Sequence, residues 1–206
     1  FFFQIRSSIK ILKQGDKKSM KKKVIAFIPA RGGSKGVKLK NLHSLGKKPL
    51  IEWTINSAKK EKIFDKIFVS SENDKILNLA KKHKVEIHKR PKIYSGDKTT
   101  IYETVRNFCQ FLKKSKYNYD IVFILEPTSP FRKKGILKKC FNILSKKNLD
   151  TIATFVKSKT HPYRIWNINK NKPTPYLKFK NYISWIPRQS LSSTYELDGS
   201  VYAFKN

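Results

Sequence analysis

The sequence predicts an α/β fold with a largely parallel sheet. Three observations carry that expectation. Apolar strand-like runs alternate with stretches of helical periodicity, a glycine-rich basic loop follows the first run directly, and 206 residues fit about one domain with a sizeable core.

Taken in order, residues 23–29 form the first expected strand. Pro49 then opens a helix through Leu50, Ile51, Trp53, Thr54 and Ala58, placed in the first turn where its missing N–H costs nothing. Lys66–Ser70 is the second strand, and Ser71 with Asp74 is the expected cap of a helix over 72–83. Val85–His88 makes a short third strand. Thr100 with Glu103 forms a capping box for a helix whose apolar stripe is Ile101, Val105, Phe108, Cys109 and Leu112. Asp120–Leu125 is the most hydrophobic run and is expected at the centre of the sheet. A proline-bounded loop, a helix over 135–146 and a strand over Thr151–Val156 follow. Residues 158–198 carry Pro162, Pro173, Pro175 and Pro187 with short β-like runs and read as an irregular β excursion, with Ser200–Phe204 returning as a strand.

This gives a division into 1–19, 20–156, 157–198 and 199–206. The first segment is expected to be a non-native or disordered extension, because the only methionine is Met20 and residues 1–19 lack the features of a secretory signal. The second is the α/β core, the third the β-rich excursion and the fourth the return strand of the core.

The formal charge of +32, from 46 basic and 14 acidic residues, raises a nucleic-acid or polyanion reading. The charge is almost all lysine, since only Arg6, Arg31, Arg90, Arg106, Arg132, Arg164 and Arg188 are arginine, and it is spread over every segment. Abundant Lys, Asn, Ile and Phe fit A/T-biased codon usage, so a solvated lysine coat is the preferred account and no specific nucleic-acid partner is expected. Cys109 and Cys140 are the only cysteines, which gives no disulfide framework or metal cluster and fits a reducing cytoplasm. Cys109 is expected in the core. No run approaches the roughly 18 apolar residues of a membrane span.

The chemistry concentrates at Ala30-Arg31-Gly32-Gly33-Ser34-Lys35-Gly36. Glycines let a phosphate approach backbone N–H groups, and Arg31 and Lys35 add charge and donors. The spacing is neither a P-loop nor a dinucleotide fingerprint, so a structural turn stays open as the alternative. In open α/β sheets ligands sit beyond the carboxyl ends of strands. There this loop and the loop Glu126-Pro127-Thr128-Ser129-Pro130-Phe131-Arg132 are expected to face one cleft.

The run I-P-A-R-G-G-S-K-G with Lys40-Asn41, the L-E-P-T-S-P-F-R at 125–132, Arg90-Pro91 with Asp97, and Arg188-Gln189 with Gly199 and Tyr202 resemble the acylneuraminate cytidylyltransferases over about residues 23–206. The resemblance implies a Rossmann-like nucleotidyltransferase fold, with helices on both faces of a mostly parallel sheet and a small β-rich dimerisation excursion. It implies transfer of CMP from CTP to the anomeric hydroxyl of a nonulosonic acid such as a sialic or legionaminic acid, with Mg²⁺ as cofactor and pyrophosphate as the other product. The expected assembly is a cytoplasmic homodimer serving cell-surface polysaccharide synthesis, with no membrane association. A different acceptor or nucleotide within the same chemistry, or a polyanion-binding module, are the alternatives.

Carried over motif by motif, Arg31, Lys35 and Lys40 are the expected catalytic cations on the triphosphate. Ala30, Gly32, Gly33, Ser34 and Asn41 should contact the nucleotide, and Arg90 with the stretch Asp97 to Thr100 the cytidine end; Asp97 and Thr100 also suit a plain helix start. Glu126, Thr128, Ser129 and Arg132 should lie along the sugar, with Arg164, Arg188 and Gln189 contributed from the excursion. His161 before Pro162 suits either the same role or a turn. The chain departs from the family at Glu126, where Gln is usual, at Ser70-Ser71-Glu72, where Ser-Thr-Asp is usual, and at Asp198, where Asn is usual. The resemblance places the usual Asp-x-Asp metal ligands beyond Asn206, so the chain as it stands is expected to have weak activity or none.

Overall fold

A computed structural model describes residues 2–5, 22–34, 36–147, 149–177 and 186–206. These divide into a unit of Phe2–Thr154 with Gly199–Asn206 and a smaller one over Phe155–Asp198.

In chain order the strands are β1 (Phe2–Ile5), β2 (Val24–Pro29), β3 (Ser44–Leu45), β4 (Lys48–Pro49), β5 (Lys66–Ser71), β6 (Glu86–Lys89), β7 (Ile121–Ile124), β8 (Thr151–Lys157), β9 (Trp166–Asn169), β10 (Lys172–Pro175) and β11 (Tyr195–Lys205). The helices are α1 (Leu50–Glu61), α2 (Asp74–Lys82), α3 (Ile101–Lys114) and α4 (Ile136–Lys146). The main sheet runs β1-β8-β11-β7-β2-β5-β6. Its centre is parallel, β2 pairing with both β5 and β7 and β5 with β6, while β11 lies antiparallel to β7 and β1 antiparallel to β8.

Register at the centre is fixed by two aspartates that each precede a neighbouring strand. Asp120 Oδ2 accepts the Lys23 N–H at 2.6 Å and Asp65 Oδ2 accepts the Val24 N–H at 2.7 Å. The strands then alternate between two cores. Val24, Ala26 and Ile28 of β2 with Ile121 and Phe123 of β7 pack on one face against Ile51 and Ile55 of α1, Ile76 of α2 and Cys140 of α4. Ile25 and Phe27 with Val122 and Ile124 pack on the other face against Phe108 and Leu112 of α3. Helices therefore cover both faces. Phe108 stacks on Phe27 at 4.3 Å and meets Phe68 edge-on at 5.2 Å, and each such ring removed from water contributes roughly 1.5–3 kcal/mol. Cys109 packs at the edge of this second core and Cys140 is fully buried in the first.

Two caps differ from the sequence expectation. Helix α2 is capped by Asn73, whose Oδ1 accepts from the Lys75 and Ile76 N–H groups, and not by Ser71. Ser71 is still paired in the sheet opposite Lys89, so the chain leaves strand conformation one step later. Pro49 stands at the cap position of α1, one residue ahead of the first helical turn, because it closes the β3–β4 hairpin. Of the expected extension over 1–19, Phe2–Ile5 form the edge strand β1; the remaining residues lie outside those described.

The smaller unit contains the β9–β10 hairpin, whose two-residue turn Lys170-Asn171 has both residues at positive φ, 47° and 61°, as a type I′ turn requires. Short 3-10 turns cover Pro162–Arg164 and Arg188–Ser190. No helix among the described residues is long and apolar enough to cross a membrane.

The box expected at α3 is complete. Thr100 Oγ1 accepts the Glu103 N–H at 3.2 Å, and Glu103 Oε2 accepts the Thr100 N–H at 2.7 Å. Removing the hydroxyl in Thr100→Ala should lower unfolding free energy by about 1 kcal/mol, read from urea denaturation with an unchanged m-value.

Candidate active site

The parallel strands β2, β5, β6 and β7 end at one edge, and the loops leaving β2, β6 and β7 line a cleft of about 520 Å³. Arg31, Ser34, Lys40 and Asn41 come from the β2 loop, Arg90 and Asp97 from the segment after β6, and Glu126 and Thr128 from the loop after β7. The two loops expected to share a cleft do so.

The walls are held by hydrogen bonds between loops. Arg31 Nη1 donates to Asp97 Oδ1 at 2.9 Å and to the Gly96 carbonyl at 3.1 Å. Asn41, only 5% exposed, donates through Nδ2 to the Arg31 carbonyl at 2.9 Å, so its amide fixes the backbone that carries the guanidinium. The Ala30 N–H is committed to the Ser70 carbonyl. The Gly32 N–H donates to Glu72 Oε1 at 2.7 Å, and a Cβ on Gly32 would stand 2.9 Å from Asn73 Cβ, so glycine is needed there by the packing itself. Gly33 is exposed, with nothing within 4 Å of a built Cβ. Lys35 lies outside the described residues.

Arg90 is buried, 5% exposed, with Nη1 at 3.5 Å from Thr104 Oγ1 and Nη2 at 3.6 Å from Glu72 Oε2. Burial pulls its pKa down, Glu72 opposes that shift, and the Arg31 charge adds to it. Its Nε and Nη2 have no hydrogen-bond partner among the described residues.

Other sequence-selected residues stand elsewhere. Thr100 serves the α3 cap and does not line the cleft. Ser129 sits behind the cleft wall, 3.3 Å from where a Cβ on Gly199 would stand; Gly199 has φ +69°, a conformation that favours glycine. Arg132 is turned inward: Nε donates to the Ser200 carbonyl at 2.7 Å, Nη1 to Thr54 Oγ1 at 2.9 Å and Nη2 to the Glu126 carbonyl at 2.5 Å. It clamps the loop that presents Glu126, whose own Oε2 accepts from Thr128 Oγ1 at 3.2 Å. In the smaller unit Arg164 and Arg188 line a polar depression with His161, and Gln189 is exposed beside it. His161 Nδ1 also accepts the Tyr163 N–H, capping a 3-10 turn.

Sequence reasoning did not select Tyr94, Ser95, Gly96 or Thr104, all four of which line the cleft, and gave no site role to Glu72, which accepts the Gly32 N–H; Thr99, within the stretch 97–100 expected by the cytidine, lines the cleft too. The usable signal was for Glu72 alone, a carboxylate placed directly after a strand at the ligand-binding edge. Among the described residues no three His, Cys, Asp or Glu side chains are grouped to hold a metal ion. The cleft offers Asp97, engaged by Arg31, and Glu126, engaged by Thr128. That set does not fit a Mg²⁺ chelate.

Comparison with known proteins shows the family. A family model described as cytidylyltransferase matches residues 25–180, more than half of the chain. The chain belongs to this cytidylyltransferase family. Pseudaminic acid cytidylyltransferase of Campylobacter jejuni serotype O:23/36 is 30% identical over 181 residues, 87% of this chain and 77% of that protein. Post-translational flagellin modification protein B of Campylobacter coli is 28% identical over 88% of this chain and 77% of its own length. N-acylneuraminate cytidylyltransferase of Oncorhynchus mykiss is 30% identical over 73% of this chain, and the chain spans only 33% of that longer protein. In fold, the solved structure of CMP:2-keto-3-deoxy-manno-octonic acid synthetase complexed with CTP is similar at a TM-score of 0.63 and 15% identity, over 89% of this chain and 74% of that one.

His88 lies 3% exposed behind the cleft, with Nδ1 at 3.0 Å from Ser70 Oγ and its ring 4.7 Å from Phe111. Burial, with the neighbouring Arg90 charge, pushes its pKa from 6.5 down to about 4. The unfolded chain therefore binds a proton that the folded chain refuses. Stability should be full above pH 6.5 and fall as pH drops toward 4. Unfolding measured across that window should steepen in wild type and flatten in His88→Gln.

Proposed function

We propose that the protein transfers CMP from CTP to the anomeric hydroxyl of a nonulosonic acid and releases pyrophosphate. The observation that carries this reading is the shared cleft, in which Arg31, Lys40 and Arg90 gather positive charge at the carboxyl ends of parallel strands and the Glu126 loop forms the facing wall. The family, and relatives named for N-acylneuraminate and pseudaminic acid, support the nucleotide and the acceptor class.

In this reading the triphosphate lies along the loop over 31–41 and the cytidine beside Arg90. The anomeric oxygen attacks the α-phosphorus, an O–P bond forms, the bond from the α-phosphorus to the bridging oxygen breaks, and pyrophosphate leaves with that electron pair. The hydroxyl proton passes to solvent. Negative charge accumulates on the phosphate oxygens, so fixed donors already aimed there lower the barrier. Arg31 suits that task because Asp97 and Gly96 hold only its Nη1, and Nε and Nη2 make no hydrogen bond among the described residues. Glu126 presents a carboxylate to the acceptor side, which favours a sugar offering hydroxyl or amide donors there and holds the sugar's own carboxylate away from it. CTP enters as its Mg²⁺ complex, and the acceptor is a sialic, legionaminic or pseudaminic type of acid. Two copies assemble through the 157–198 excursion, and the product serves cell-surface polysaccharide synthesis in the cytoplasm.

Incubation of protein that includes the Asp-x-Asp metal ligands the resemblance places beyond Asn206 with CTP, Mg²⁺ and each of the three acids in turn should release pyrophosphate and yield a CMP-sugar by mass spectrometry. No pyrophosphate with any acceptor, or an equal rate with GTP, would contradict the assignment. Arg31→Ala should slow turnover about a hundredfold, and a near-normal rate would remove Arg31 from the mechanism.

A further inference from the structure

Glu72 follows β5 directly and reaches both the glycine-rich loop and Arg90. Its Oε1 accepts the Gly32 N–H at 2.7 Å, and its Oε2 lies 3.6 Å from Arg90 Nη2. The two side chains are 16% and 4% exposed, and neither Glu72 Oε2 nor Arg90 Nε and Nη2 has a hydrogen-bond partner among the described residues. The residues flanking Glu72 reinforce the same links. Ser71 accepts the Arg90 N–H on its carbonyl at 2.9 Å, and Asn73, fixed as the cap of α2, closes against Gly32.

One rigid strand end thus holds the glycine-rich loop on one side and the buried guanidinium on the other. We propose that Glu72 is a positioning residue that sets the phosphate-facing loop and Arg90 in a common register, coupling the two ends of the nucleotide site. This rests on the reading of the cleft as a CTP site. The carboxylate binds the loop through a hydrogen bond and restrains Arg90 through charge alone, because 3.6 Å is beyond hydrogen-bond range. The facing carboxylate keeps Arg90 charged in its buried setting at the cleft lining.

The two links separate in the variants. Glutamine keeps a neutral oxygen for the Gly32 N–H and removes the charge opposite Arg90, whereas alanine removes both. The probes are inorganic tripolyphosphate, which lacks the nucleoside, and cytidine, which lacks the phosphates, titrated into the full chain by calorimetry. Losing one such hydrogen bond or ionic restraint corresponds to about a tenfold change in affinity. Glu72→Ala should weaken both probes by about tenfold, and Glu72→Gln should weaken cytidine by about tenfold while leaving tripolyphosphate within about threefold. Circular dichroism reports the folded fraction of each variant. Unchanged affinities in folded Glu72→Ala overturn the proposal, as do equal losses of both probes in Glu72→Gln that track the folded fraction, the behaviour of a merely structural carboxylate. A wild-type chain that binds neither probe overturns the reading of the cleft and the proposal with it, whereas wild-type binding with indifferent variants overturns the proposal alone.

Discussion

The central constraint is the enclosure of β2, which is hydrogen-bonded on both edges by parallel strands and covered on both faces by helices. A strand so enclosed reads as the continuous run Val24-Ile25-Ala26-Phe27-Ile28, every residue of it at most 1% exposed. Its last residue has one way out, at the carboxyl edge. The glycine-rich loop must therefore emerge beside the ends of β5, β6 and β7, and the cleft is a consequence of that geometry. Asp120 and Asp65 strengthen the constraint by binding the Lys23 and Val24 amides where β2 begins, since a slip of one residue would break both bonds and reverse its two faces.

Charge in the cleft is arranged differently from charge on the surface. Arg31 is held by Asp97, and Arg90 by Glu72, with each pair joining two loops that are far apart in sequence. Fixing a guanidinium in this way removes the conformational entropy a ligand would otherwise have to overcome. The lysines are scattered along the whole chain, so the overall +32 adds little geometric information to the site. Arg132 extends the same principle to the facing wall, where three bonds from one side chain set the position of the Glu126 loop.

The parts of this structure that were legible in the sequence are local ones. The apolar runs of β2 and β7, the Thr100–Glu103 box and the Arg31 loop each depend on residues close together in the chain. The α2 cap was misplaced because sheet pairing of Ser71 with Lys89 decides where the strand ends, and no local propensity reports that. Arg132 reads in the sequence as a cation beside a substrate loop, yet its partners Thr54 and Ser200 are 78 and 68 residues away, so its clamping role exists only in the folded chain. Glu72 was visible as an unusual residue after β5, and its partners Gly32 and Arg90 became apparent only when the strand ends came together.

In the proposed function, one cleft at the carboxyl edge of β2, β5, β6 and β7 holds a cytidine nucleotide. A crystal structure of the protein soaked with CTP tests this most directly. The triphosphate should lie within hydrogen-bond distance of Arg31 and the 31–41 loop, with the cytosine beside Arg90. CTP seated at any other surface, with this cleft containing only solvent, would contradict that assignment.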